Sequence, residues 1–507
     1  MDKSYFGKVY LVGAGPGHSG LLTLKGHQLL QEADVVVYDR LVGESILAMI
    51  PPRVERIDVG KLPGDESFKR QIEINQLLVK KAKEGKKVVR LKGGDPFLFG
   101  RGGEEALYLG EEGISFEVVP GVSAALGVSA YAGIPLTHRG MASSVVFLTG
   151  HEDFEKETSA IDWQAVSRID TIVIYMGVSN LPKVVQSLLQ AGKLGDTPVA
   201  LVQSGTTASQ RILIGTLQTI VKEAEQEAFR PPMLTLIGEV VRLAPQLNWV
   251  EKKPLFGRRI VVTRSREQAS AFSTLLESYG AEVFPFPVIR FEPLLPQKET
   301  FPLQEVERVD WLVFTSANAV SFFVDWLKEC DWDIRLFHKA HIATIGPATR
   351  EKVASLGLHV SLSSKEPFQA EDLVQAFSDV SLSGKKVLIP RAEEARSYLE
   401  EALLSRGASV SILPLYRTVC DKQDASLLEQ GIEQKKIDLI TFTSSSTVKN
   451  FLENLSLEKA ALSSIPVGCI GEITAETAKQ MGLKVAFVSK RATLPDFAQA
   501  VVHYFRP

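Results

Sequence analysis

The chain is poor in cysteine, with three thiols in 507 residues, and it has no excess of charge of either sign. Cys330, Cys420 and Cys469 stand 90 and 49 positions apart. That spacing fits no zinc motif and no disulfide framework; it fits buried thiols in a reducing, cytoplasmic setting. The N-terminus, MDKSYFGKVYLVGAG, lacks the long apolar core of a signal peptide. Residues 118–137 are uncharged and long enough to span a bilayer, but three Gly, two Pro and two Ser make them poor in lipid. They are expected as buried loop and helix beside a ligand. Lys and Arg number 28 against 29 Asp and Glu in residues 1–256, and 29 against 31 beyond. Neither half has the basic excess of a general nucleic-acid binder, so neither nucleic acid nor membrane is expected as a partner.

The remaining composition is ordinary, 45% hydrophobic and 23% charged, which excludes disorder, collagen and coiled coil. At about 100–200 residues per domain, this length predicts three to four domains. Short β-branched runs alternate with amphipathic stretches throughout, the pattern of an α/β fold. VYLVGAG (9–15), ADVVVYD (33–39), KKVVRLKGGD (86–95), FEVVPG (116–121) and SSVVFLTG (143–150) read as strands running into loops. TIVIYMG (171–177), PVALVQSG (198–205) and MLTLIGEVV (233–241) continue the series, and QIEINQLLVKKAKEG (71–85) reads as a helix capped by Gly85. A change of character at LNWVEKKPLFG (247–257) marks a boundary between residues 1–246 and 258–507. This segment is expected to be a polar linker of little buried area, leaving two halves that fold and work separately.

Glycine is concentrated where chemistry is expected. Gly13-Ala14-Gly15-Pro16-Gly17 follows a strand, but His18 stands where the dinucleotide fingerprint needs its third Gly, and Pro16 removes a phosphate-binding donor. What remains is a loop admitting a ligand against the main chain, or a tight turn. RLKGGDPFLFGRGGEE (90–105) holds five Gly among Arg90, Lys92, Asp95 and Arg101, and reads as a ligand site.

The second half repeats itself. Val262-Thr263-Arg264 recurs as Ile389-Pro390-Arg391, Tyr279-Gly280-Ala281 as Arg406-Gly407-Ala408, and Val288-Ile289-Arg290 as Leu415-Tyr416-Arg417, each at an offset of 127. Phe314-Thr315-Ser316 recurs as Phe442-Thr443-Ser444 at 128, and Ile345-Gly346 as Ile470-Gly471 at 125. Five matches at nearly one offset are a duplication, predicting two similar lobes with a cleft between them.

The set GAGPGHSGLLTLKG, VVYDRLV, VGK, IEINQLL, VVRLKGGDPFLFGRGGEE, VVPGVSA, AYAGIPLTHRG, TGH, YMG and GEVV, in order over residues 7–250, resembles uroporphyrinogen-III C-methyltransferase of the tetrapyrrole methylases. The resemblance implies two α/β lobes with S-adenosylmethionine between them, usually in a homodimer formed through this half, and no metal. It carries cofactor binding onto Pro16, Gly93, Gly94, Asp95, Leu98, Ser123, Ala124, Met176 and Gly205. It makes Asp39 the proton acceptor and Lys61 the proton donor. His18 and Met233 depart from the family pattern, the latter near the expected adenine. Read from its own position, Asp39 at a strand end suits a base, or it pairs with Arg40 or caps the next helix. Arg101, His138 and Arg139, with Lys61, are candidate clamps for a carboxylate-rich substrate.

Residues 257–507 resemble uroporphyrinogen-III synthase, through VVTRSREQA, VFTSANAV, ATIGPATREKVASLG, LPLYRTV, ITFTSSSTVKNF and CIGEITAETA. The resemblance implies a split lobe, 258–288 plus 420–507, and an inserted lobe, 292–416. It implies lyase chemistry that closes hydroxymethylbilane with inversion of ring D. Tyr416 becomes the candidate proton donor, though a core aromatic at a strand end is an equal reading. Ser444, Thr474 and Thr493 line the cleft, and Arg264, Arg391 and Arg417 meet carboxylates. Together the halves imply one bifunctional enzyme, whose final product is precorrin-2, a precursor for either cobalamin or sirohaem. The rival reading is a methylase for another acceptor fused to a non-catalytic tetrapyrrole-binding sensor.

Overall fold

The computed structural model describes residues 6–60, 67–150, 161–177, 180–294, 296, 306–366, 368–457 and 459–506. The first sheet contains β1 (Val9–Gly13), β2 (Val35–Tyr38), β3 (Glu55–Asp58), β4 (Val88–Lys92) and β5 (Phe116–Val119). Their order is β3-β2-β4-β1-β5, all parallel. Helices cover both faces, so β2 is buried on each side. That is why its sequence is an unbroken VVV rather than an alternation. The second sheet contains β6 (Val145–Thr149), β7 (Thr171–Tyr175), β8 (Pro198–Gln203), β9 (Arg211–Thr216) and β10 (Met233–Ile237), in the order β6-β7-β10-β8-β9. Here β10 runs antiparallel to β7 and β8, so β6, β7 and β8 deliver their C-terminal ends to one edge. The helix expected over 71–85 spans Ser67–Lys83, and Gly85 follows at φ +78°, a conformation that favours glycine. Residues 118–137 supply the end of β5 and the short helix Ala124–Tyr131, buried between the first two sheets.

The second half continues with β11 (Arg259–Val262), β12 (Glu282–Pro285), β13 (Ile289–Pro293), β14 (Trp311–Phe314), β15 (His341–Thr344), β16 (Leu362–Ser363), β17 (Lys386–Ala392) and β18 (Ser409–Cys420). It ends with β19 (Leu439–Phe442), β20 (Val467–Cys469) and β21 (Val485–Val488). One sheet has the order β12-β11-β19-β20-β21 and the other β13-β18-β17-β14-β15-β16. Set side by side, β12, β11, β19, β20 and β21 correspond to β18, β17, β14, β15 and β16. The repeat and the lobe are therefore different units. Apart from β13, which extends the six-stranded sheet, each lobe takes two strands from one repeat and three from the other, so the repeats exchange halves. The β13–β18 ladder shows the symmetry: Ile289 pairs with Cys420, and Tyr416 with Pro293. Tyr416 and Pro293 are the 127-offset equivalents of Ile289 and Cys420, the i-to-j, j-to-i relation of a two-fold contact.

The segment 247–257 departs from expectation. Val250 and Leu255 are buried, and Leu255 lies in the core cluster of β11, β12 and the Leu494–Phe505 helix. Two apolar side chains anchor a segment that its lysines made look like a free tether. The halves also touch directly, with Arg259 paired to Glu44 at 2.7 Å and Leu427 packed on the first lobe's core. No helix among the described residues is long and apolar enough to cross a membrane.

Candidate active sites

Loops at the C-terminal ends of β1, β4 and β5 meet in the first half, where open parallel sheets bind ligands. Gly13, Gly94 and Gly121 are in backbone contact. A Cβ on Gly13 would lie 2.5 Å from Gly121 Cα, and one on Gly121 would lie 2.2 Å from the Gly94 carbonyl. No other residue fits at Gly13 or Gly121 without moving backbone. Gly94 itself, at φ +68°, faces open space, its nearest neighbour being Ala124 N at 3.8 Å from a built Cβ. Asp95 accepts from the amides of Phe97 (2.8 Å) and Gly121 (3.0 Å), so it ties two of these loops together.

Facing them are the ends of β7 and β8. Tyr175 Oη bonds the Ser123 hydroxyl and accepts from Ala125 N at 2.8 Å, and its ring meets Phe99 at 5.0 Å. Pro16 packs where a side chain on Gly127 would go, and Gly205 packs against Val128. Pro16, Gly93, Gly94, Asp95, Leu98, Ser123, Ala124, Met176 and Gly205 thus all fall on loops or helix starts at the junction of the two sheets. Leu41, Phe97, Phe99 and Met176 are exposed along it, Phe97 at 59% and Met176 at 51%. Large apolar groups left in water around a glycine-built cleft mark a ligand surface. The cradle suits S-adenosylmethionine: open backbone at Gly94, close-packed glycines beneath, and a tyrosine–serine pair at the lobe junction. Met233 points elsewhere, into the core cluster of Val166, Leu181 and Phe229. His18 is not at the cradle either; its Nδ1 caps the short 3-10 helix Ser19–Leu21 and its ring lies 5.6 Å from Tyr131.

Asp39 directly follows β2 and, among the described residues, forms its ion pairs with Arg90 and Lys92 and not with Arg40. Its Oδ1 accepts from Arg90 Nη2 at 2.5 Å, and Lys92 Nζ lies 3.8 Å from Oδ2. Arg90 and Lys92 occupy alternate positions of β4 and so share one face. Both bond Glu105 Oε1, at 3.2 and 2.8 Å, and Gln71 Nε2 donates to the same oxygen at 3.1 Å. Glu105 is 0% exposed, Arg90 1% and Lys92 3%, so two cations and one carboxylate share a nearly dry pocket, with Asp39, 31% exposed, at its open end. Burial, reinforced by Arg90, pushes the Lys92 ammonium below its ordinary pKa. Burial opposes the charge on Arg90 too, but Glu105 and Asp39 outweigh it. This network escapes sequence reasoning, which read Arg90 and Lys92 as part of a ligand site at 90–105; the signal for it is their i, i+2 spacing in an apolar strand. Arg101 pairs with Glu104 at 2.6 Å, His138 Nδ1 meets the Arg139 carbonyl at 3.0 Å, and Arg139 is exposed. Lys61 lies outside the described residues.

In the second half, helix N-termini gather at the C-terminal ends of the parallel strands, and they do so in repeat-related pairs. Ser316 caps the Ala317–Glu329 helix and Ser444 the Ser445–Asn454 helix, with matching extended backbones. Thr474 lies in the first turn of Glu472–Gln480, and Thr493 caps Leu494–Phe505. Amide-rich helix starts attract carboxylates. Arg264 follows β11 and Arg391 lies at its repeat equivalent in β17; Arg391 pairs loosely with Glu400 at 3.5 Å. Burial lowers the Arg264 guanidinium. Arg417 lies on the β13–β18 ladder, bonded to Glu292 at 2.8 and 3.0 Å. Tyr416 is a core residue, 5% exposed, stacked on Phe322 at 4.7 Å with its hydroxyl 3.1 Å from Ser316 Oγ. Burial raises its pKa above the ordinary value. Ser316 was not singled out from sequence, although the repeat pairs it with Ser444.

Comparison with known proteins decides what these clefts belong to. Residues 8–221 match the model of the tetrapyrrole (corrin/porphyrin) methylases, and 270–499 that of uroporphyrinogen-III synthase HemD. The porphyrin biosynthesis protein HemD of Ruminiclostridium josui is 39% identical over 96% of this chain and 95% of its own. The chain belongs to that family. It joins a tetrapyrrole methylase to a uroporphyrinogen-III synthase and is a bifunctional enzyme of tetrapyrrole biosynthesis. The S-adenosyl-L-methionine-dependent uroporphyrinogen III methyltransferase of Methanosarcina barkeri is 53% identical over 47% of this chain and 93% of its own. A Thermus thermophilus uroporphyrin-III C-methyltransferase, solved with S-adenosyl homocysteine, is 42% identical over 47% of this chain and all of that one, with a TM-score of 0.41. The loops built on Gly13, Gly94 and Gly121 fall within the residues matched to the methylases, and the helix starts at Ser316, Ser444 and Thr474 within those matched to the synthase.

Proposed function

We propose that the synthase half converts hydroxymethylbilane to uroporphyrinogen III and that the methylase half methylates this product at C-2 and C-7, giving precorrin-2. The observation that carries the reading is the joining in one chain of a methylase match at 8–221 and a uroporphyrinogen-III synthase match at 270–499, the product proposed for the second being the substrate proposed for the first. S-adenosylmethionine, held by Pro16, Gly93–Asp95, Leu98, Ser123, Ala124, Met176 and Gly205, supplies an electrophilic methyl group. Asp39 takes the proton displaced from the methylated carbon. Arg90 and Lys92 hold its carboxylate at the cleft mouth, and Lys61 is assigned as proton donor. Arg101, His138 and Arg139 meet substrate carboxylates. Holding both reactants in register contributes more than any single group, since the acceptor carbon is already electron-rich.

In the synthase cleft, Arg264 and Arg391 with the helix starts at Ser444, Thr474 and Thr493 bind the carboxylates of the linear substrate and fold it. Arg417 acts from the edge. Tyr416 assists departure of the hydroxyl through Ser316, and its raised pKa makes that assistance weak, so conformational control dominates. The methylase half is proposed to pair with a second copy as a homodimer in the cytoplasm.

Two separate assays on the full chain test this. Hydroxymethylbilane alone is expected to give the type III isomer, and supplied uroporphyrinogen III with S-adenosylmethionine a dimethylated product. Failure of the second, with no binding of S-adenosylhomocysteine by calorimetry, would refute the cofactor assignment.

A further inference from the structure

The two loops that flank Pro16 and Gly205 are gripped from the other half of the chain. Glu282 of β12 accepts from Ala208 N at 2.7 Å, and Glu277 accepts from the Ser19 hydroxyl at 3.1 Å. The loops also grip each other, with His18 N donating to Thr206 Oγ1 at 3.2 Å. Arg259 joins the parts: it meets Glu282 at 2.6 Å and Glu44 at 2.7 Å, with 11% of its side chain exposed. Glu44 follows Gly43, and a Cβ on Gly43 would sit 2.5 Å from the Gly17 carbonyl. One arginine of the synthase thus spans the neighbours of both cofactor loops. A cavity of about 100 Å³, lined by His18, Tyr131, Thr206, Trp249, Glu277 and Glu282, lies behind them. Nothing in the methylase half replaces these acceptors at Ala208 N and Ser19 Oγ among the recorded bonds.

We propose that Glu282 and Glu277 of the synthase half are positioning residues for the methylase, fixing the loops 16–19 and 205–208 in the form that binds S-adenosylmethionine. The inference rests on the cofactor placement above. It makes the junction between the halves part of the methyltransferase machinery, which a free tether would not be. Neither glutamate reaches the cofactor; each acts through a loop. A carboxylate accepting a main-chain amide is a strong, charge-assisted bond, and its loss frees the loop that carries Gly205.

The test uses the full-length protein and four forms: wild type, Glu282→Ala, Glu282→Gln and Ser19→Ala. Calorimetry with S-adenosylhomocysteine is the first readout, and hydrogen exchange of peptides covering 14–20 and 204–210 the second. The KM for S-adenosylmethionine and kcat with supplied uroporphyrinogen III follow, with hydroxymethylbilane cyclisation as the measure of an intact synthase half. Glu282→Ala is expected to weaken binding by roughly tenfold, raise KM in step with little change in kcat, and speed exchange in both peptides, while cyclisation persists. Glu282→Gln keeps an acceptor for Ala208 N and should recover part of the affinity. Ser19→Ala, which leaves the synthase half untouched, should weaken binding by a few-fold. Affinity within twofold of wild type in both alanine variants, with unchanged exchange, overturns the proposal. If the wild type itself fails to bind S-adenosylhomocysteine, the cofactor reading falls first and takes the inference with it.

Discussion

Replacing Glu105 by Gln tests the buried ionic network on which Asp39 rests. The shape is kept, and the amide oxygen can still accept from Arg90, Lys92 and Gln71. The charge is not kept: two cations would face Asp39 alone. At about 4 Å and an effective dielectric near 20, one such attraction is worth roughly 4 kcal/mol before desolvation is counted. Burying the Glu105 carboxylate offsets part of this, but breaking one member of a buried cluster typically costs about 3–5 kcal/mol. Because three hydrogen bonds survive, about 3 kcal/mol is expected. Urea denaturation, read by circular dichroism and by loss of methyl transfer, measures it. The pH dependence supplies a sign. Lys92 in the folded protein already titrates below its unfolded value, and without Glu105 it titrates lower still. The unfolded state then binds more protons, so stability rises with pH up to the unfolded lysine pKa, and the deficit should shrink as pH rises toward that value. A loss below about 1 kcal/mol, or a deficit that grows with pH, would refute the network as a stabilising unit.

Other outcomes follow from the same geometry. Asp39→Asn should slow methyl transfer by roughly 10²-fold or more while binding of S-adenosylhomocysteine persists; near wild-type turnover removes Asp39 from the mechanism. Asp95→Ala frees the amides of Phe97 and Gly121, and calorimetry should show about 10- to 100-fold weaker cofactor binding with cyclisation intact. Tyr416→Phe keeps the stack on Phe322 and loses only the Ser316 contact, so cyclisation should fall by less than about 10²-fold, below the usual worth of a strong general acid. Among the thiols, Cys330 and Cys469 are buried and burial pushes Cys469 up to about 12, so alkylation of the native protein near neutral pH should stop at Cys420.

The α/β class and the duplication were legible because they are written in local patterns. Strands buried on both faces, such as β2, leave a continuous Val run. The edge strands β3 and β9 were missed for the complementary reason: ERID and RILIGT sit half in water and carry charge or no clear period. The offset of 127 reveals which segments are alike, but not which ones pair, so the exchange of halves between lobes could not be read from it. Loops whose backbones approach closely were legible through their glycines, since only glycine permits the contacts at Gly13 and Gly121. The partners of Asp39 were not, because Arg90 and Lys92 lie some 50 positions away and Glu105 farther still, joined only by the fold. The segment 247–257 misled through composition: its lysines are conspicuous, whereas Leu255 does the anchoring.

The most direct measurement gives the full-length protein hydroxymethylbilane and S-adenosylmethionine carrying a labelled methyl group, and follows the product by mass spectrometry and isomer analysis. The account expects a type III macrocycle bearing two labelled methyl groups, and unmethylated uroporphyrinogen III when the methyl donor is withheld. Only the type I isomer, formed at the uncatalysed rate, or a type III product that never gains label, would contradict it.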